Sequence, residues 1–500
     1  MELRAYQKEA VAAVHWHWNE WNRELLVMAT GTGKTACASQ VIKDRALCGN
    51  SLFLVHREEL INQFRDKFGM ETGKIKADES TILPVTAGSV QTMFRRQYPS
   101  DLFSTIVVDE AHHAMSDSYQ AVLRQFPKAK VLGLTATPSR SDKKQLGNYF
   151  EGIAYEYGLR RAVQEGYLCK ITAQTVPLNI DLSNVKVSVG DFQVESIAET
   201  LEPYLPEIAE AIKNYASDRK TIVFLPLISI AQQFRDLLIE NGIDAREVNG
   251  MSADREETLK WFDNAGKGSV LCNAMLLTEG VDIPSCDCVV VLRPTKVSSL
   301  YAQMVGRGTR LYPGKKDLLL LDFLWMVTKH DLCRPASLVT DNTEDREHIR
   351  KQTEIEQIDL FDACTDAEEA RRNSLAEALR AQKRKKAKLI DPLQYFVSID
   401  DMAMTDYEPQ FAWEIQPASD KQMQLLEHWG INPDGMNKGK ASMIIDRLIT
   451  RRKQGMASPK QIRLLERQGY DNVGEWTFDR ASKKIGQLAE VGWQRYKLRD

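Results

Sequence analysis

The sequence predicts an α/β protein of two tandem units, each a parallel sheet flanked by helices, followed by a mainly helical C-terminal region with two short repeats. Three observations lead there. The apolar runs ELLVMAT, SLFLVH, STIVVDE and KVLGLTAT, separated by amphipathic stretches such as INQFRDKF, have the pattern of parallel strands buried on both faces. The scheme recurs from about residue 217 with KTIVFLP, SIAQQFRDLLIENG, DAREVNG, SVLCNAM and DCVVVLRP. Finally, ASDKQMQLLEHWG, starting at Ala418, returns as ASPKQIRLLERQG at Ala457, 39 residues later.

These patterns divide the chain. Residues 1–165 form the first unit, 166–216 an interdomain linker that is less regular and ends in a helical pattern, and 217–340 the second unit. Residues 341–417 read as a charged helical linker region containing the run RAQKRKKAK, and 418–500 as two basic helical repeats. Each repeat reads as a short helical hairpin capped at its start by Ser with Asp or Pro after it. At roughly 150 residues per domain, 500 residues agree with about three domains.

Composition excludes several classes. With 43% hydrophobic and 27% charged residues the chain can bury substantial cores, so it is not a disordered chain. No window approaches the roughly 18 apolar residues of a membrane span, and MELRAYQKEA lacks the apolar stretch of a secretory leader. The eight cysteines form no CxxC pair, which fits a reducing cytoplasm. Cys286 and Cys288 alternate in CDCVVVL and read as core thiols rather than metal ligands. The net charge of −3 conceals an asymmetry, because residues 421–500 carry 16 Lys/Arg against 9 Asp/Glu, or +7, on a body of −10. A basic tail suits a polyanionic partner, and a solvated basic face would give the same count.

The chemistry lies in an ordered set of motifs. MATGTGKT at 28–35 follows a predicted strand and opens a helix. Gly31 and Gly33 let backbone amides approach phosphates, Lys34 would neutralise the β- and γ-phosphates, and the Thr35 hydroxyl would ligate Mg²⁺. The strict phosphate-loop pattern fails at its first position, where Met28 stands. VVDEAHH ends a predicted strand with adjacent carboxylates: Asp109 suits a Mg²⁺ ligand, and Glu110 suits orienting and deprotonating a water. His112 and His113 lack further partners at metal spacing. QMVGRGTR places Arg307 and Arg310 three residues apart, able to stabilise transition-state charge on a γ-phosphate. Alone, each motif has a bland counterpart: a glycine-rich turn, an acidic turn, a surface ion-pair face.

In order, these motifs resemble superfamily 2 helicases of the DEAH-like type. LRAYQ at 3–7 resembles the adenine-reading Q motif, LVHREEL at 54–60 motif Ia, GSVQT at 88–92 the following strand-contact motif, and DEAH at 109–112 motif II. TATP at 135–138, IVFLP at 222–226, TEGVDIP at 278–284 and QMVGRGTR at 303–310 resemble motifs III to VI. The resemblance covers roughly residues 1–330 and implies two RecA-like domains. HREEL, GYL at 166–168 and SLYAQMVGRGTRL at 299–311 look closest to RadD-like DNA repair helicases and type I restriction enzyme motor subunits. The cysteine-rich zinc region of RadD-like proteins is missing, since only Cys333 and Cys364 follow motif VI.

What the resemblance implies is specific. ATP and Mg²⁺ are the expected cofactors. Gln7 would bond adenine with Arg4 nearby, and Thr30, Thr32 and the loop amides would hold phosphates. Gly280 and Asp282 would contact the nucleotide from the second domain. Thr135 and Thr137 would couple domain closure to the strand-binding face, where Arg57, Ser89, Gln91, Thr92 and Thr278 would grip nucleic-acid backbone. HWHWNEW at 15–21 reads as a helix packing its indoles beside the Q motif. The expected function is an ATP-dependent DNA helicase or translocase of repair, recombination or replication, in a bacterial cytoplasm or encoded by a phage. Its partner would be single-stranded, branched or duplex DNA, with no membrane. The alternatives are a nucleic-acid-stimulated ATPase that remodels protein–DNA complexes without unwinding, and an RNA helicase. The repeats read as a DNA-binding accessory region, with docking of a protein partner as the other reading.

Overall fold

In the computed structural model the described residues are 2–493 except 57, 78, 137–145, 184, 189–190, 253, 275–282, 327–331, 382–391, 400, 402–406, 412 and 491–492. They form two compact units, Met1–Cys364 and Thr365–Asp500. No helix among the described residues is long and apolar enough to cross a membrane.

The first sheet contains β1 (Arg23–Met28), β2 (Ser51–Val55), β3 (Gly73–Lys76), β4 (Glu79–Thr81), β5 (Val85–Ser89), β6 (Thr105–Val108), β7 (Lys130–Thr135) and β8 (Gly152–Tyr157). Their order is β4-β3-β5-β2-β6-β7-β1-β8. All neighbours are parallel except the β3–β4 hairpin at one edge. β2 and β6 are buried along their whole length, the consequence of helices covering both faces. Leu26 and Met28 of β1 pack toward the helices Ala5–His17 and Lys34–Asp44, and Leu25 and Val27 toward the opposite layer. Glu24 also lies in β1, with no exposed surface.

The second sheet contains β9 (Lys170–Asp181), β12 (Thr221–Leu225), β13 (Ala245–Val248), β14 (Val270–Ala274), β15 (Cys288–Val291), β16 (Asp317–Met326) and β17 (Ile358–Asp359). Their order is β13-β14-β12-β15-β16-β9-β17, parallel except for β17 against β9. A small ribbon, β10 (Val187–Ser188) with β11 (Asp191–Phe192), stands apart. These are two RecA-like α/β domains in tandem.

The stretch 166–216 is more than a linker. Its β9 runs the length of β16, and the helices Val194–Leu201 and Leu205–Ala216 pack into the second domain's core. KITAQTVPLNID mixes polar residues and Pro177 into the strand, which hides it from an apolar-run criterion. The register jumps from Phe323↔Val176 to Leu324↔Asn179, a bulge at the proline, whose missing N–H cannot join a ladder. Residues 341–359 likewise belong to this domain, through the helix Thr343–Ile355 and β17.

In unit Thr365–Asp500 the helix Asp420–Trp429 pairs with Lys438–Lys453, and Pro459–Arg467 with Phe478–Glu490. One apolar core joins both pairs to Tyr395, Phe396 and Ile399.

Candidate nucleotide site and nucleic-acid face

β1 ends at Met28, and the loop that follows turns directly into the helix Lys34–Asp44. Gly31 and Gly33 hold φ of +87° and +88°, which side-chain-bearing residues adopt only at a cost. Gly33 has a second reason to be glycine, because a Cβ there would lie 2.4 Å from Gln7 Nε2. Thr32, expected at the phosphates, turns inward instead. It is 1% exposed, its hydroxyl donates to Ala29 O at 2.7 Å and its N–H to the same oxygen at 3.2 Å. It braces the turn that precedes the helix.

Gln7 reaches this loop from the first helix. Its Nε2 donates to Thr32 O at 2.9 Å, while Oε1 accepts from Arg4 N at 2.9 Å. Each end of the amide keeps one further hydrogen-bonding capacity, so the loop contact and adenine recognition are compatible. Tyr6, which sequence reasoning missed, donates to Thr32 O at 2.8 Å and stacks on Tyr157 with centroids 4.1 Å apart. Tyr167 of the GYL motif meets Tyr6 edge-on at 4.7 Å, and Arg4 lies 5.1 Å over the Tyr167 ring. The quoted GYL motif was the available signal for this aromatic wall. Trp18 of HWHWNEW is buried, but Trp16 is 64% exposed, so only part of that indole cluster packs inward.

Lys34 donates to Met28 O at 3.0 Å. Burial pushes its pKa down, Glu110 and Asp109 oppose that, and Arg307 and Arg310 reinforce it. The same five groups that the motifs single out therefore share one electrostatic environment. Asp109 continues β6, and its Oδ1 accepts from Glu110 N at 3.0 Å. Glu110 sits at φ 52°, ψ 61°, a left-handed conformation costing a non-glycine about 1–3 kcal/mol. That turn buries Oε2, 3.5 Å from His112 Nδ1. His112, His113 and His56 continue as a chain of rings with centroids 4.2 and 4.6 Å apart.

The second domain supplies the opposite wall. The helix Ser298–Gly306 ends against the phosphate loop, where a Cβ on Gly306 would lie 2.6 Å from Thr30 Cβ. Arg310 Cγ comes within 3.4 Å of the Cβ position of Gly31, with Leu168 Cδ2 beside it at 3.3 Å. Arg307 is 8% exposed, and burial lowers the pKa of Arg310. Ala29, Thr30, Ala136, Ala302, Val305 and Gly306 line the seam, whose free volume is only about 20 Å³. Lys315, also missed, props the turn from behind by donating to Gly308 O and to Cys286 O. Thr35 opens the loop helix next to Lys34, and Thr135 ends β7 with 1% exposure. Gly280, Asp282 and Thr137 lie outside the described residues.

A second concavity, about 670 Å³, opens beyond the C-terminal end of β5. Three of the expected nucleic-acid contacts, Ser89, Gln91 and Thr92, line it with His56, Lys76, Arg95 and Arg96. The expected contacts also brace one another. Ser89 Oγ donates to Gln91 Oε1 at 2.6 Å, Gln91 Nε2 to His56 O at 3.0 Å, and Ala77 N to Thr92 Oγ1 at 3.0 Å. Lys76, Arg95 and Arg96 went unnoticed in the sequence, although MFRRQ places two arginines directly after GSVQT. Arg57 and Thr278 lie outside the described residues.

Two parallel-sheet domains, a phosphate loop, a carboxylate pair and arginines meeting that loop from the second sheet define a two-domain P-loop protein. Residues 1–140 match the family "Type III restriction enzyme, res subunit", and residues 203–312 the family "Helicase conserved C-terminal domain". The chain belongs to the superfamily 2 helicases. It is 33% identical over 357 residues to the putative ATP-dependent helicase IRC3 of Saccharomyces cerevisiae, covering 64% of this chain and 51% of that protein. It is 28% identical over 372 residues to the type I restriction enzyme EcoAI endonuclease subunit of Escherichia coli, covering 64% and 46%. Among solved structures, the fragment of a putative HsdR subunit of a type I restriction enzyme from Vibrio vulnificus matches with TM-score 0.50 and 25% identity, over 64% of each chain. The chain thus spans about half the length of the curated relatives it matches.

Proposed function

We propose that this chain is an ATP- and Mg²⁺-dependent DNA translocase or helicase. The observation that carries the reading is the convergence of Lys34, Asp109 and Glu110 with Arg307 and Arg310 across the seam between the two sheets. Lys34 would neutralise β- and γ-phosphate charge, and Glu110 would accept a proton from the attacking water. Mg²⁺, which would be held by the Thr35 hydroxyl and Asp109, neutralises charge on the same phosphates when bound. The two arginines complete the site from the second domain, a contribution worth about 10³–10⁵ in turnover where an arginine finger operates. Nucleotide held from both sides favours the closed pair of domains, and its hydrolysis releases them.

The groove of Lys76, Arg95, Arg96, Ser89, Gln91 and Thr92 supports a polyanion track on the first domain. Its cations and hydroxyls suit phosphates rather than base edges, so the grip would be sequence-independent and salt-sensitive. Similarity to restriction enzyme subunits favours DNA, and the eight free cysteines suit a bacterial cytoplasm. The test is steady-state ATP hydrolysis with no polynucleotide, single-stranded DNA, forked duplex DNA and matched RNA. Stimulation led by DNA is the expected result, followed by strand displacement on the fork. Stimulation led by RNA would overturn the substrate, and hydrolysis indifferent to every polynucleotide would overturn the motor. Stimulation by DNA without displacement would leave the remodelling ATPase.

A further inference from the structure

The two C-terminal repeats share one scaffold. Ser419 and Ser458 each cap their helix by accepting from the backbone N–H of Gln422 and Gln461. Gln422 Nε2 donates to Ser442 Oγ at 2.8 Å, and Gln461 Nε2 to Ser482 Oγ at 2.8 Å. Ala418 N donates to Met436 O and Ala457 N to Trp476 O, while isolated bridges join Pro417 to Asn437 and Met456 to Thr477. Ile431 therefore corresponds to Tyr470, Met436 to Trp476, Lys440 to Arg480 and Ile444 to Lys484.

At these positions the copies have diverged in kind. Ile431 and Ile444 are fully buried and Met436 is 8% exposed. Tyr470, Trp476 and Lys484 are only partly buried, and Arg480 is exposed. Arg480 lies 4.2 Å over the Trp476 ring, Lys484 lies 5.4 Å over the Tyr470 ring, and the two rings meet edge-on at 5.8 Å. Arg480 and Lys484 are one helical turn apart on Phe478–Glu490, so they form one face. A terminal repeat needs a polar outer side, which accounts for a lysine but does not call for two aromatic rings. The first repeat shows that the scaffold is satisfied by aliphatic residues there.

We propose that the second repeat binds single-stranded nucleic acid through this face, bases stacking on Trp476 and Tyr470 while Arg480 and Lys484 meet the phosphates. Rings interleaved with cations suit unpaired bases, whose faces a duplex hides. The inference takes its partner class from the nucleic-acid reading above but not its residues, which lie outside the motor.

The test uses the full chain and a fluorescein-labelled oligothymidine, with binding followed by anisotropy in the absence of nucleotide. The variant Tyr470→Ile, Trp476→Met installs residues that the same scaffold already carries in the first repeat. Affinity should fall at least about tenfold, and preference for oligothymidine over an abasic strand of equal length should vanish. Basal ATP hydrolysis should be unchanged. A second variant, Arg480→Gln, Lys484→Gln, should weaken both strands and reduce the salt dependence. Unchanged oligothymidine affinity in the folded ring variant, or equal loss on the abasic strand, would overturn the stacking face. Competition by polyglutamate equal to that by oligothymidine would also overturn it, in favour of an acidic peptide. Ring-dependent binding in a chain that hydrolyses no ATP would uphold this inference while removing the motor.

Discussion

Gly306→Ala tests the geometry of the nucleotide site with a single methyl group. A Cβ at position 306 would stand 2.6 Å from Thr30 Cβ and 2.8 Å from its Cγ2. Ordinary carbon contacts need about 3.5–4.0 Å, so the two walls must separate by roughly 1 Å. Thr30 cannot swing clear cheaply, because the closest atom is its own Cβ and β-branching leaves few χ1 states. Position 306 ends a helix and its φ lies outside the left-handed region, so alanine brings no backbone strain and removes a helix penalty of up to about 1 kcal/mol. The substitution should therefore leave the fold as stable as before while moving Arg307 and Arg310 away from the phosphate loop. A misplacement of about 1 Å can cost on the order of 10²-fold in rate. We expect kcat for DNA-stimulated ATP hydrolysis to fall by about that factor, with the affinity for a fluorescent ATP analogue changed little and Tm unchanged. Removing the opposing atoms, in Gly306→Ala with Thr30→Gly, should recover part of the lost rate. Wild-type kcat in the single variant would refute the argument that hydrolysis occurs with this seam closed.

Glu110→Gln should bind ATP but turn it over at least about 10²-fold more slowly, the usual worth of a general base, whereas Lys34→Ala should lose turnover and weaken nucleotide binding; robust hydrolysis by either would sink the site assignment. Lys76→Ala with Arg95→Ala should raise the DNA concentration needed for half-maximal ATPase stimulation and flatten its salt dependence, leaving basal hydrolysis intact; an unshifted stimulation curve would remove the groove from the track. Burial pushes the Glu24 carboxyl up to about 8 against an ordinary 4.5, with Lys130 opposing and Glu151 adding to the rise. The neutral form fits the fold, so this stability is complete below about pH 4.5 and is lost as pH rises through about 8, a cost of about 3 kcal/mol by pH 7. Glu24→Met should raise Tm most above neutral pH and flatten its decline; parallel Tm–pH curves for the two proteins would show that Glu24 is not the titrating group.

The strand runs, the phosphate loop and the acidic turn were legible because each is written in contiguous residues. Strands buried on both faces become apolar runs, and a loop that must pass through two left-handed positions shows its glycines. The repeat was legible for a similar reason, since its capping residues recur at the same spacing. β9 was not, because a strand that joins a sheet after a long excursion is set by its partner β16 and tolerates polar residues and a proline bulge. Lys76 was missed because only the parallel pairing of β3 with β5 brings it beside residues that follow β5, whereas Arg95 and Arg96 follow GSVQT directly in the chain.

Within the site the division is similar. The residue types and their order, from Gln7 through Gly31, Gly33, Lys34, Asp109 and Glu110 to Arg307 and Arg310, are properties of the sequence, and they state which chemistry is on offer. Tertiary structure alone decided that Thr32 faces inward, that Tyr6, Tyr157 and Tyr167 form one aromatic cluster beside the glycine loop, and that Arg310 lies against Gly31. It also decided that one C-terminal repeat leaves aromatic rings only partly buried where its twin encloses aliphatic side chains. Local patterning reports what each segment needs from its immediate neighbours along the chain. Which distant atoms satisfy that need depends on sheet order and on the packing of one layer against another, and neither is encoded at short range.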